Sequence, residues 1–120
     1  MRKLTMIGLI LCLSVVLLAA CGDNTPAQLP LEVTLHAQDI KFDVTTLKVK
    51  VDQPVKLTYI NEGRIDHAFT IPGLVKEQKI RPGQTMVFTF TPEEIGQFKY
   101  VCAMPGHEMA GMVGTLLVKA

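Results

Sequence analysis

The stretch VCAMPGHEMAGMVG, residues 101–114, gathers Cys102, His107 and Met112 at the spacing Cys-x4-His-x4-Met, with Met104 and Met109 between them. Thiolate, imidazole and thioether are all metal donors. The two sulfur types are soft and suit Cu(I), while imidazole accepts copper in either oxidation state. Pro105-Gly106 turns the chain and Gly111 frees the backbone just before Met112, so a loop of this length can fold back and bring its donors together. His67, on a separate apolar run, supplies a second imidazole. Two imidazoles and a thiolate in a plane, with a distant thioether, are the donor set of a mononuclear electron-transfer copper site. Zinc prefers four strong ligands, or three and a water, and a long thioether satisfies neither. A lone core histidine is more often hydrogen-bonded structure than a ligand, but His67 and His107 come with a cysteine. By spacing alone Met104, Met109 and Met112 are all within reach, and methionine usually serves as adaptable packing.

These side chains need a rigid frame, and the chain from residue 31 alternates apolar and polar residues in short runs, as half-buried strands do. Leu31, Val33 and Leu35 share one face, followed by Leu47, Val49 and Val51, and then Val55, Leu57 and Tyr59. His67, Phe69 and Ile71 share a parity, as do Met86, Phe88 and Phe90, and Phe98, Tyr100 and Cys102; residues 113–119 form a last run. Asn61-Glu62-Gly63, Pro72-Gly73 and Arg81-Pro82-Gly83 read as turns, and residues 91–96 as a single helical turn. Seven or so short strands predict an all-β fold, a two-sheet antiparallel sandwich with Greek-key connections. Parity turns Cys102 and His67 inward. Tyr59 and Tyr100 read as core, and His36, on a polar face, as solvated.

The N-terminus reads differently. Met1-Arg2-Lys3 precedes a long apolar run that ends in Ala19-Ala20 before Cys21, the layout of a secretory signal and short for a spanning helix. Residues 1–20 are therefore expected to be a signal peptide, 21–30 a polar tether and 31–120 a single domain. Without Arg2 and Lys3, ten basic residues face eleven acidic ones, a formal charge of −1, which argues against nucleic acid as a partner. Cys12 would leave with the signal, so Cys102 is the one free thiol of the exported domain once Cys21 is modified. No internal disulfide is then possible, and a lone thiol in an oxidising compartment is either buried or occupied.

Leu18-Ala19-Ala20-Cys21 resembles the lipobox of bacterial lipoproteins. The resemblance implies lipidation at Cys21 and an anchor on the outer face of the cell membrane or in the periplasm, with several acyl chains giving stable attachment. Residues 31–120 resemble the cupredoxins, small blue copper proteins. The match is strongest over residues 61–69, Arg81-Pro82-Gly83-Gln84-Thr85, residues 96–102, Pro105-Gly106-His107 and residues 110–114. Carried over by position, the resemblance implies one type 1 copper ion with His67, Cys102 and His107 as ligands and Met112, rather than Met109, as the axial thioether. It implies a monomer that carries single electrons between redox proteins such as cytochromes and oxidase or reductase complexes. His107 would lie under an apolar rim of Met104, Pro105, Met109 and Ala110. Glu108, beside His107, is an unfavourable oxygen ligand. A single loop cysteine argues against the binuclear copper site of cytochrome oxidases. The competing readings are a copper carrier or storage protein of the cell envelope, an accessory copper protein of a respiratory complex, a copper enzyme, which needs a second copper centre, and a metal-free interaction module. One departure stands out. Many relatives follow the first histidine with Asn or Ser, which locks the ligand loops together, and here Ala68 follows and Asp66 precedes. Asp66 is expected to supply part of that lock.

Overall fold

The alternating runs fold as strands, and their parity decides which face each buries. The computed structural model describes residues 27–120, so the expected signal peptide, the expected lipidation site Cys21 and most of the expected tether lie outside the described residues. The strands are β1 (Leu31–Gln38), β2 (Lys41–Phe42), β3 (Thr46–Lys50), β4 (Val55–Asn61), β5 (His67–Ile71), β6 (Val75–Ile80), β7 (Thr85–Phe90), β8 (Gly96–Cys102) and β9 (Val113–Lys119). They form two sheets, ordered β2-β1-β4-β7 and β3-β9-β8-β5-β6. The chain passes repeatedly from one sheet to the other, so the sandwich is all-β with Greek-key connections.

Two features differ from the sequence expectation. Each sheet is mixed, because β1 runs parallel to β4 and β3 parallel to β9, while the other pairings are antiparallel. Parallel neighbours need a crossover between them, and here the crossovers run through the opposite sheet, which alternation within one strand cannot reveal. Residues 91–96 hold no helical turn but lead directly into β8. Two strands escape the alternation reading as well. β2 is only two residues long, and β6 buries its ends, Val75 and Ile80, across a register shift opposite β5.

The core lies between the sheets. Leu35, Leu57 and Tyr59 from the first sheet meet Phe69, Tyr100 and Leu116 from the second, all fully buried. Four aromatic rings bind the layers. Phe42 and Tyr100 are 5.3 Å apart, Phe69 and Tyr100 5.6 Å, and Tyr59 and Phe69 5.8 Å, in the tilted arrangements that ring quadrupoles favour. The Tyr100 hydroxyl donates to the Val44 carbonyl at 2.5 Å. The Tyr59 hydroxyl is buried without a partner among the described residues. Burial, and secondarily the neighbouring Cys102 thiolate, pushes the Tyr59 phenol above its ordinary range.

Candidate metal centre

Cys102 is the last residue of β8 and His67 the first of β5, so one end of the second sheet carries both. The pairing of Phe69 with Cys102 fixes their separation. Between β8 and β9 the chain winds into a compact loop. Its turns are closed by His107 N–H donating to the Met104 carbonyl and Ala110 N–H to the Gly106 carbonyl, each at 3.0 Å. The loop is then sealed at its base, where Met112 N–H donates to the His107 carbonyl and Cys102 N–H to the Met112 carbonyl, both at 3.0 Å. Gly111 sits at φ 97°, a left-handed conformation costly for any residue with a Cβ, and it reverses the chain so that Met112 turns inward. Ala103 N–H donates to the Ala68 carbonyl at 2.9 Å and ties the loop to β5.

The result is a tight cluster. The donor atoms of His67, Cys102 and His107 all lie within 4.8 Å of one another. Cys102 Sγ is 3.3 Å from His107 Nδ1 and 3.8 Å from His67 Nδ1. The two imidazole rings stand 5.1 Å apart, tilted by 58°. Cys102 and His67 are fully buried, while His107 is half-buried and reaches the surface. Ala68 N–H donates to Cys102 Sγ at 3.2 Å and ties the sulfur to β5. The side-chain lock absent at residue 68 therefore has a backbone counterpart. Met112 is fully buried in the same core and bonded through its backbone to both Cys102 and His107. A cysteine sulfur and two imidazoles converging in a dry pocket, with the buried Met112 tied by its backbone into the same loop, fit one type 1 copper ion.

The residues around this cluster divide in two. Met104 is half-buried, whereas Pro105, Ala110 and Met109 are exposed, Met109 at 94%. Glu108 pairs with Lys99 on the surface, away from the donors. Asp66 does not face His67: its Oδ2 lies 3.1 Å from Lys79 Nζ. The carboxylate on the histidine is that of Asp39, whose Oδ1 accepts from His67 Nε2 at 3.0 Å, and sequence reasoning missed it. Arg64 N–H donates to the other oxygen, Oδ2, at 2.9 Å. That backbone bond is the main reason the Asp39 carboxyl is held below the usual carboxylate range; partial desolvation opposes it and the His67 bond adds to it. Asn61 was read only as part of a turn, but it is a buried organiser. Its Nδ2 donates to the carbonyls of Ile65 and Ile80, and its Oδ1 accepts from Gly63 N–H, which shapes the segment that delivers His67. His36, expected to be solvated, bonds Glu62 at 2.7 Å in the same region.

An all-β sandwich with a thiolate and two imidazoles joined at one end defines a small mononuclear copper protein. Residues 9–118 match the sequence profile of the cupredoxin-like domain, and the chain belongs to that family. The copper-resistant cuproprotein CopI of Rubrivivax gelatinosus is 29% identical over 121 residues, which span 82% of this chain and 71% of CopI. Among solved structures, auracyanin B superposes with a TM-score of 0.69 at 22% identity, covering 82% of this chain and 94% of auracyanin B. The copper nitrite reductase of Nitrosomonas europaea superposes with a TM-score of 0.65 at 25% identity; the match takes in 75% of this chain but only 41% of the reductase.

Proposed function

We propose that this protein is an exported one-electron carrier, held at the membrane by a lipid on Cys21, with His67, Cys102, His107 and Met112 as the ligands of its copper. The observation that carries the reading is the convergence of the Cys102 sulfur with the two Nδ1 atoms. Copper held there by His67, Cys102, His107 and Met112 would supply the Cu(II)/Cu(I) couple, and the protein would carry one electron from a reduced partner to an oxidised one. The protein keeps the donors fixed between the two states. Backbone bonds seal the loop on both sides of Met112, and the core grips Cys102 and His67, so little moves when the charge changes. The enclosed thiolate is shielded from oxidants, and His107 offers the short route outward.

Met104, Pro105, Met109 and Ala110 around His107 form the apolar rim of this end. A small patch of this kind suits brief docking with redox proteins such as cytochromes or an oxidase or reductase complex. Their approach would owe little to long-range steering, given a formal charge of −1 without residues 1–20. The protein acts as a monomer and catalyses no reaction of its own in this reading.

The test is colour. Protein beginning near Leu29 and loaded with Cu(II) should turn intensely blue or green through thiolate-to-copper charge transfer, and Cys102→Ser should abolish the band. A colourless protein, or a band that survives Cys102→Ser, rejects the assignment. The likeness to CopI, a protein named for copper resistance, supports a second reading as a copper-handling protein of the envelope. Copper that transfers rapidly to a competing Cu(I) chelator would favour that reading; reversible voltammetry with copper retained would favour the carrier.

A further inference from the structure

We propose that Asp39 is a positioning residue of the metal site, which fixes the tautomer and orientation of His67 and favours the higher oxidation state of the bound copper. The inference rests on the copper reading above and names a group outside the four ligands. A carboxylate oxygen only accepts, so the His67 ring donates from Nε2 to Asp39 Oδ1. In a neutral imidazole that leaves Nδ1 as a lone pair, and Nδ1 is the atom turned toward Cys102 Sγ. With the ring fully buried, Asp39 is the group that selects the ligating nitrogen.

The surroundings are shaped for this contact. Asp39 follows β1, and the parallel register of β1 on β4 sets Ala37 opposite Asn61, bringing the residue after one strand beside the segment after the other. Glu62 N–H donates to the Ala37 carbonyl at 2.9 Å and ties the two segments together. Arg64 N–H donates to Asp39 Oδ2, also at 2.9 Å, so the carboxylate is held between that backbone donor and the His67 ring. Gly63 leaves the space it occupies. A Cβ there would collide with the Asp39 carboxylate and come within 2.9 Å of His67 Nε2. The Asp39 side chain is 35% exposed, so its outer face remains solvated and the negative charge persists beside a dry site. A negative charge next to the ligand stabilises Cu(II) more than Cu(I), because the attraction scales with the charge of the ion.

The experiment compares the full-length chain with Asp39→Ala, Asp39→Asn and Gly63→Ala, using Asp66→Ala as a control carboxylate. In the metal-free proteins, nitrogen NMR of the His67 ring should show a single Nε2–H tautomer in the wild type and in Asp39→Asn, which keeps an acceptor. It should show a mixture in Asp39→Ala and Gly63→Ala. In the copper-loaded proteins, Asp39→Ala should lower Cu(II) affinity by about 10- to 100-fold and Cu(I) affinity by less. Each tenfold difference between the two losses reads as a rise of about 59 mV in reduction potential. Asp39→Asn should raise the potential while preserving the tautomer. A wild-type tautomer in Asp39→Ala overturns the proposal, and so do potential and affinity shifts no larger than those of Asp66→Ala. A colourless wild-type protein counts against the copper reading alone, since the tautomer is read without metal.

Discussion

The two imidazoles of the site live in opposite surroundings. His67 begins a strand, is fully buried, and is gripped by Asp39 from behind. His107 lies in a loop, half-buried, with exposed Pro105, Met109 and Ala110 around it. One side of the site is built into the sandwich and the other is offered to solvent. The difference teaches that a single ion can be held rigidly and still be reached, provided only one of its ligands lies near the surface.

The sharpest way to break this comparison is to remove each ring in turn. His107→Gly should open a hole to solvent that added imidazole can enter, restoring a coloured Cu(II) site. His67→Gly should leave a closed cavity that added imidazole does not rescue. Equal rescue of both variants, followed by absorption spectra, would show that burial does not separate the two sides. Stability should divide in the same way. Phe69→Ala, which removes a fully buried ring beneath the site, should cost about 3–5 kcal/mol in denaturant unfolding of the metal-free protein. Met109→Ala on the rim should change stability by no more than about 0.5 kcal/mol.

The two buried tyrosines sharpen the comparison within the core. Tyr100→Phe strips the partner from the Val44 carbonyl and should destabilise by about 1 kcal/mol. Tyr59→Phe removes a buried hydroxyl that has no partner among the described residues, and should be neutral or stabilising by about 1 kcal/mol in the same assay. Asp66→Ala should also have a small effect. It loses an ion pair with Lys79 whose two side chains are 36% and 52% exposed. Such pairs contribute about 0–1 kcal/mol, and midpoint and potential should both stay near wild type.

Much of the site was legible because its residues carry their own punctuation. Cys102, His107 and Met112 sit in one loop with turn residues between them, and strand parity turned His67 inward. The structure brings the first two and His67 within ligand distance and buries Met112 beside them. Asp39 was illegible for a physical reason. It lies 28 residues before His67, and what unites them is the parallel pairing of β1 with β4, which alternation does not encode. Asp66 looked suitable because it adjoins the histidine in sequence. Consecutive side chains at a strand edge point to opposite sides, and its carboxylate went to Lys79. β6 was missed for a related reason, since a bulge opposite β5 breaks the period of two.

The parallel pairing of β3 with β9 has a consequence in time. Thr46 lies opposite Thr115 and Lys50 opposite Lys119, so β3 has no neighbour in its sheet until nearly the whole domain has been made. Contacts so distant along the chain are slow to form, and β9 also flanks β8, which carries the thiolate. The copper-binding loop is thus bounded by strands that dock late. A chain emerging residue by residue passes through a stage in which Cys102 exists but its pocket does not, so the vulnerable period for that thiol falls before the final strand is seated.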